Sequence, residues 1–194
     1  MAAMENSSRP LPVLRRLARL GALVLGLTSS AAAQGISYYC DCDRGLGPCG
    51  NGITTDVPGG CLNSLGVKAF LFPNGGTPSV AADDLVLVAG NLPAHQLGLV
   101  YMGAARTQVP FGDGLRCVAA GGAGLFRFPV ADSGDDNAIV LGPGIVAHSL
   151  AHFPPSGHIH AGQTWHFQGW YRDPAGPCGS GFNLTSALSV EFGP

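Results

Sequence analysis

Thr164–Arg172 reads TWHFQGWYR and carries the clearest secondary-structure signal in the chain. Successive side chains of a β-strand point to opposite faces of a sheet. In an extended Thr164–Arg172, Trp165, Phe167 and Tyr171 share one face, and the alternate positions read His, Gln, Trp and Arg. The first set is apolar and belongs to a core, while the second set is mixed. The pattern therefore predicts a half-buried strand.

Short runs on both sides of this stretch also suit β-strands, because they are apolar and end at turns rich in Gly, Pro, Asn and Asp. In the run Leu85–Val88 both parities are apolar, which is typical of a strand covered on both faces. No helical period separates the runs, so we expect an all-β fold, an antiparallel β-sandwich of jelly-roll or immunoglobulin-like type. The predicted runs are 67–72, 84–89, 97–102, 115–118, 125–130, 139–141, 145–153 and 187–192.

The first 33 residues read as a cleaved signal peptide. Four arginines come before the apolar segment Leu20–Leu27, and the small residues Ala31–Ala33 follow it. This order is that of a secretory signal, with cleavage expected between Ala33 and Gln34. The apolar segment is too short to cross a bilayer, and no later one is longer, so we expect no transmembrane segment. The alternative for residues 11–27 is a helix of the folded domain.

All six cysteines follow this leader. An even number of cysteines in an exported chain indicates three disulfide bonds. We expect two local bridges among the first four cysteines and a long-range Cys117–Cys178 bridge. A zinc site of four thiolates is the alternative, although the usual Cys-x-x-Cys pairs are absent. The cysteines are Cys40, Cys42, Cys49, Cys61, Cys117 and Cys178.

The domain organisation follows from the cysteine spacing and the turns. Residues 34–65 are rich in Gly, Cys and Asp without an apolar period, so they are predicted to form an irregular lobe. Residues 66–194 carry the predicted strands. The lobe and the strands together are short enough for one core, and we expect a single domain.

The charge of the mature chain limits its partners. The leader holds four of the ten Lys and Arg residues, which leaves six basic against eleven acidic residues, a net charge of about −5. A nucleic-acid partner requires a basic stripe, so we expect none. The low charge content, the 30 glycines and the 15 prolines fit short strands joined by tight turns rather than a disordered chain or a helical bundle.

Several motifs follow one another in an order that resembles a known family. They are GNLP at 90–93, PFGDGLRCV at 110–118, TWHFQGWYRDP at 164–174 and FNLT at 182–185. In these motifs, and in CLNSLG at 61–66, the chain resembles secreted domains of environmental bacteria such as planctomycetes and myxobacteria. The resemblance covers nearly all of the mature chain. It implies export and a β fold, and it transfers no catalytic residues because the family has no established activity.

Histidines are concentrated near the C-terminus, with five of the six between positions 148 and 166. In an extended segment His158 and His160 would share one face, where two imidazoles can hold a divalent metal. His148 and His152 share a face at strand spacing in the same way. The alternative is that these are polar residues at or near the surface, beside a Pro-Pro turn.

Asp132, Asp135 and Asp136 form an acidic loop segment whose carboxylates are of the kind that calcium binds. Their spacing does not match the Asp-x-Asp-x-Asp-Gly calcium loop. A solvated acidic turn is therefore the alternative to a calcium site.

Trp170 and Arg172 lie on the mixed face of the predicted strand. If that face is open, they form a candidate contact for a ligand such as a sugar, whose apolar face stacks on aromatic rings. The alternative is that Trp170 packs between two sheets.

The chain carries no Gly-x-Ser-x-Gly, His-Glu-x-x-His or phosphate-loop motif. A glycosidase would have to use aspartates such as Asp83, Asp84, Asp113 or Asp173, since Glu191 is the sole glutamate after the leader. The sequence thus predicts no catalytic residue and no cofactor. We expect a secreted, periplasmic or cell-surface protein that acts as a non-catalytic structural or adhesive module. A carbohydrate- or metal-binding module and an unrecognised hydrolase are the alternatives.

Overall fold

The structure is a computed structural model that describes residues 35–194. The predicted signal peptide, residues 1–33, lies outside the described residues. Strands dominate, and all pairs between them are antiparallel. The elements are β1 (Ile36–Tyr39), β2 (Phe70–Pro73), β3 (Leu87–Gly90), β4 (Leu97–Gly103), β5 (Ala105–Phe111), β6 (Gly114–Ala119), β7 (Leu125–Arg127), β8 (Ala131–Asp132), β9 (Ile139–Leu141), α1 (Ile145–His152), a 3-10 turn (Pro155–Gly157), β10 (Thr164–Arg172) and β11 (Phe182–Glu191).

The predicted strand Thr164–Arg172 is β10, with the predicted bounds, and it lies inside the largest sheet. The strand order of this central sheet is β1-β11-β10-β4-β7, and β8 also pairs with β4. Phe167 of β10 lies opposite Leu188 of β11 and Met102 of β4. Trp165, Phe167 and Tyr171 all enter one core, as predicted. The predicted half-buried strand is wrong, because His166 and Gln168 on the other face are buried as well.

A second sheet, β2-β3-β9, covers this first face of the central sheet. Phe167 and Met102 pack there with Leu71 of β2 and Leu87 of β3, and all four are completely buried. Ile145 of α1 closes the same core. Burial of each such side chain contributes roughly 1.5–3 kcal/mol, so this layer holds most of the apolar stabilisation.

The hairpin β5–β6 packs on the opposite face of the central sheet. Leu115 and Cys117 of β6 share a separate core with Tyr101 of β4, Leu184 of β11 and Cys40. Strands with both faces covered are often apolar on both parities, as β4 is, whereas β11 buries Asn183, Thr185 and Ser189 on one parity. The predicted all-β antiparallel class is confirmed. The sandwich type, jelly-roll or immunoglobulin-like, stays a prediction.

Three disulfides are present, as predicted, but the predicted pairing is wrong. Cys42 pairs with Cys61, whereas the other bonds are Cys40–Cys117 and Cys49–Cys178, which span 77 and 129 residues. The reason is that β1 joins the central sheet beside β11 and brings Cys40 over β6. With every cysteine in a bridge, the described residues hold no free thiolate for zinc.

The lobe predicted as irregular is not wholly so. Its first residues are β1, an edge strand of the central sheet that pairs Ile36 with Val190. Residues 40–61 contain turns and bends without a strand, as expected. The lobe therefore starts within the sheet and is not a separate appendage.

The predicted strand at 145–153 is wrong, because these residues form α1. The carboxylate of Asp83 accepts hydrogen bonds from the backbone N–H groups of Val146 and Ala147, both at 2.8 Å. It thereby satisfies donors that the first turn of a helix leaves unpaired. His148 and His152 consequently share a helix face, and their ring centroids lie 4.4 Å apart.

Candidate functional site

A cavity of about 290 Å³ opens on the second face of the central sheet, where the hairpin β5–β6 leaves that face partly uncovered. Small-molecule pockets begin at roughly this size and are mostly apolar with a few polar groups. Strands β4, β7, β10 and β11 supply its floor, and the hairpin supplies a wall. The lining residues are Leu99, Tyr101, Phe111, Arg116, Leu125, Arg127, Trp170 and Leu184.

Trp170 reaches this cavity because it shares a face of β10 with Gln168. The pairing with β11 has a β-bulge between these two residues, with the extra residue on β11. Within the bulge Gly169 donates its backbone N–H to Thr185 Oγ1 at 2.9 Å. A Cβ on Gly169 would lie 2.9 Å from the Thr185 methyl group, so the close approach requires glycine. The Trp170 ring packs on Phe182 at 5.7 Å between centroids, which fixes a half-buried aromatic wall. The Arg172 guanidinium carbon lies 6.0 Å from the Trp170 ring centroid.

Gln168 fixes the floor beside Trp170. It is completely buried, and its Oε1 accepts hydrogen bonds from Tyr101 Oη at 2.6 Å and Cys117 N at 2.9 Å. Its Nε2 donates to the carbonyl oxygens of Leu115 and Thr185, both at 2.8 Å. Burial raises the pKa of Tyr101 well above its ordinary value, although Arg116 opposes the shift. The phenol therefore stays protonated and keeps donating to Gln168.

Two arginines give the cavity its charge. Arg116 of β6 is half-buried, its Nε is buried without a hydrogen-bond partner, and its guanidinium carbon lies 5.8 Å from the Phe111 ring centroid. Arg127 of β7 is exposed and lies opposite Tyr101 in the sheet. None of the eight lining residues is acidic. The cavity thus combines aromatic and aliphatic walls with two positive charges.

The structure brings the predicted metal pair His158 and His160 near each other, with ring centroids 6.1 Å apart. Nε2 of His158 donates to the carbonyl oxygen of Phe153 at 3.1 Å, and His160 is exposed. Within residues 35–194 no group of three or more His, Cys, Asp or Glu side chains is arranged to hold a metal ion. Metal binding by this pair stays a prediction.

In the structure the predicted calcium loop lies around His95, a residue from a distant part of the sequence. His95 Nε2 lies 2.9 Å from Asp135 Oδ1, and its Nδ1 lies 3.7 Å from Asp132 Oδ1. Asp132 also accepts the backbone N–H of Gly134 at 2.8 Å, while Asp136 is exposed. Forty residues separate His95 from Asp135, so no local pattern signals this contact. Calcium binding stays a prediction.

The four aspartates that a glycosidase would use accept hydrogen bonds from backbone N–H groups. Asp83 caps α1, and Asp84 accepts the backbone N–H of Thr77 at 2.8 Å. Asp113 and Asp173 are completely buried; Asp113 accepts the N–H of Cys178, and Asp173 accepts that of Ser64. All four carboxylates lie outside the lining of the cavity.

Known proteins supply no further assignment. No protein-family model, no curated protein sequence and no solved structure matches the chain. The resemblance to exported bacterial domains therefore stays a prediction. No helix within residues 35–194 has the length and apolar content needed to span a membrane. The three disulfides are compatible with an extracellular or periplasmic location.

Proposed function

We propose that the protein is an exported, non-catalytic binding module whose cavity holds a sugar residue of an extracellular glycan. The observation that carries this proposal is the aromatic lining of the cavity. Trp170 is half-buried and held against Phe182, while Phe111, which also packs on Phe182, is 44% exposed. Such rings offer flat apolar surfaces with restricted motion, against which the C–H face of a sugar can stack.

The surroundings of the cavity favour binding without a conformational change. Gln168 has all four of its hydrogen-bonding positions filled, and the hydrogen bond from Gly169 N to Thr185 holds the backbone next to Trp170. A site whose side chains are already ordered loses little conformational entropy when a ligand enters. The engagement of Asp83, Asp84, Asp113 and Asp173 with backbone groups also favours binding over hydrolysis.

A glycan array probed with the exported protein tests this function, and calorimetry measures the affinity of each glycan that binds. Trp170→Ala and Phe111→Ala should each weaken binding at least tenfold, which corresponds to about 1.4 kcal/mol. Tyr38→Ala is the matched control, because Tyr38 is 52% exposed and does not line the cavity. Circular dichroism verifies that each variant is folded. Lack of any glycan binding, or binding that both cavity variants leave unchanged, would contradict the proposal.

A structural or adhesive module of the cell envelope is a second candidate, favoured by an apolar depression elsewhere on the surface. Tyr38, Val57, Pro58, Phe70 and Phe72 line this depression. Apolar surface of this kind is typical of contacts with other macromolecules. Under this second function Tyr38→Ala should reduce the fraction of protein that sediments with cell envelopes, while Trp170→Ala should not.

A further inference from the structure

We propose that the sugar in this cavity carries a carboxylate, as a uronic acid does, and that Arg116 and Arg127 recognise it. This inference rests on the proposed function and names the class of its ligand. Three features support it: an unpaired buried donor, the geometry of the guanidinium group, and the distribution of charge.

The unpaired donor is Nε of Arg116, which is buried and has no hydrogen-bond partner. Native proteins pair nearly all of their buried polar groups, and an exception calls for an explanation. Neighbouring donors and acceptors are already engaged, since the Tyr101 hydroxyl and the Leu115 carbonyl both bind Gln168. The protein thus supplies no acceptor at Nε, and because Nε is shielded from solvent, a ligand in the cavity would bind the outer Nη groups of Arg116.

The guanidinium geometry selects among acceptors. The two Nη–H groups at the end of an arginine form a planar fork that matches the two oxygens of a carboxylate. The Phe111 ring centroid lies 5.8 Å from the guanidinium carbon of Arg116, within the range of a cation–π contact. A neutral hydroxyl would satisfy one of these donors and leave the other unpaired. A carboxylate on the sugar satisfies both.

The charge distribution agrees with an anionic ligand. Residues 35–194 contain six basic side chains, and three of them, Arg116, Arg127 and Arg172, line the cavity or pack on its tryptophan. Among the described residues, the salt bridges involve Lys68 and His95 but none of these arginines. The chain as a whole is acidic, so this local excess of positive charge is not a general property of its surface. An apolar wall next to it strengthens the attraction for an anion.

Calorimetry with matched sugars tests the inference. The probes are oligosaccharides of galacturonate, of mannuronate and of glucuronate with N-acetylglucosamine, each compared with its carboxyl-reduced form. Reduction replaces the carboxylate with a hydroxymethyl group and keeps the rings. At least one uronate should bind tenfold or more tightly than its reduced form, and added salt should narrow this difference. A sulfated galactan oligosaccharide distinguishes the carboxylate from other anions and should bind more weakly.

Variants of Arg116 and Arg127 test whether the preference for a carboxylate arises in the cavity. Arg116→Gln and Arg127→Gln should each weaken uronate binding at least tenfold and change binding of the reduced sugar less than threefold. Arg116→Lys should not restore the affinity, because an ammonium group lacks the planar fork. Arg44→Gln is the control, since Arg44 is exposed and does not line the cavity.

The outcomes separate this inference from the proposed function. Equal affinity for acid and reduced sugars, or tighter binding of the sulfated sugar, would overturn the carboxylate assignment while Trp170-dependent glycan binding still stands. Uronate binding that both arginine variants leave intact would overturn the roles of Arg116 and Arg127. Absence of any Trp170-dependent sugar binding would overturn both proposals together.

Discussion

Gln168 joins four backbone and side-chain groups from three neighbouring strands, and its loss should be among the most costly single changes. Replacing it with Met keeps the volume but leaves the Cys117 N–H, the Tyr101 hydroxyl and the carbonyls of Leu115 and Thr185 without partners. Each buried unpaired group costs about 1–3 kcal/mol, so Gln168→Met should lower the free energy of unfolding by at least about 3 kcal/mol. Urea denaturation measures this value.

The control for Gln168→Met is the same substitution at Gln108, an exposed residue of β5. Surface substitutions of this kind usually change stability by less than about 0.5 kcal/mol. Similar losses of unfolding free energy for Gln168→Met and Gln108→Met would show that the hydrogen bonds of Gln168 contribute little to stability.

His166 makes stability depend on pH. Burial, and to a lesser extent Arg106, lowers its pKa below the ordinary value of 6.5. Its Nδ1 lies 2.7 Å from Ser189 Oγ, which already accepts a hydrogen bond from Arg106 Nε. The folded state therefore binds a proton less readily than the unfolded state. The free energy of unfolding should be constant above about pH 7.5 and fall as the pH drops through 6.5.

Urea denaturation between pH 8 and pH 5 measures this dependence. His166→Gln should reduce the loss of stability between those values. His148 should supply a further share, because burial and then His152 lower its pKa as well. If the pH dependence of His166→Gln equals that of the unaltered protein, the assignment to His166 is wrong.

For individual residues, the sequence predicts which side chains of one strand share a face. It does not predict which residues of other strands lie beside them. The alternation in Thr164–Arg172 places Trp170 on the face that holds the cavity. Arg116, Arg127 and Tyr101 come from three other strands, and no spacing in the sequence connects them. The pairing of Gln168 with Ala187 and of Trp170 with Leu184 also depends on the bulge, which a strict period of two does not reveal.

Among the elements, α1 shows how a distant residue decides a local conformation. Its sequence, IVAHSLAH, begins with two β-branched residues and suits a strand as well as a helix. Asp83 adds hydrogen bonds to Val146 N and Ala147 N, 63 and 64 residues along the chain. Pattern analysis within a window cannot include such a cap.

Asp83→Ala should lower the free energy of unfolding by about 2 kcal/mol, as measured by urea denaturation. Loss of the cap accounts for about 1 kcal/mol. The rest follows because Asp83 has φ 45°, a left-handed conformation that alanine adopts at a cost of about 1 kcal/mol. Asp83→Asn should cost less, since asparagine tolerates this conformation and keeps one acceptor. Equal losses of unfolding free energy for Asp83→Ala and Asp83→Asn would contradict the role of Asp83 as a helix cap.

Exposed strands with few apolar residues are the elements that the sequence does not predict. The bounds of β9 and β10 are as predicted, because their apolar residues stand out between turns. By contrast, β1 and β5 are largely exposed, and Pro110 interrupts the donors of β5. Because β5 belongs to the hairpin that forms a wall of the cavity, the strand pattern in the sequence predicts strands of the floor but not β5.

For the whole molecule, the disulfide pairing shows which segments that are distant in sequence lie next to each other. Cys40–Cys117 ties the end of β1 to β6, and Cys49–Cys178 ties the lobe to the loop between β10 and β11. Both contacts follow from the central sheet lying between two layers. Sequence distance favours near neighbours and predicts two local bridges among the first four cysteines, whereas the structure has one, Cys42–Cys61.

Two double variants compare a long-range bridge with a local one. Cys40→Ala with Cys117→Ala opens a loop of 77 residues, and Cys42→Ala with Cys61→Ala opens one of 19. All four cysteines are buried, so the losses of packing are similar. Chain entropy then predicts a loss of roughly 4 kcal/mol for the first pair and about 3 kcal/mol for the second in urea denaturation.

The two pairs should differ more in binding than in stability. Cys40 Sγ lies 3.7 Å from Gln168 Nε2, and Cys117 N donates to Gln168 Oε1, so this bridge supports the floor of the cavity. Cys42–Cys61 lies in the same apolar cluster but makes neither contact. Calorimetry should therefore find weaker sugar binding for the folded Cys40/Cys117 variant than for the Cys42/Cys61 variant. Equal affinities would mean that the floor keeps its geometry without the long-range bridge, and that the layers alone position Trp170.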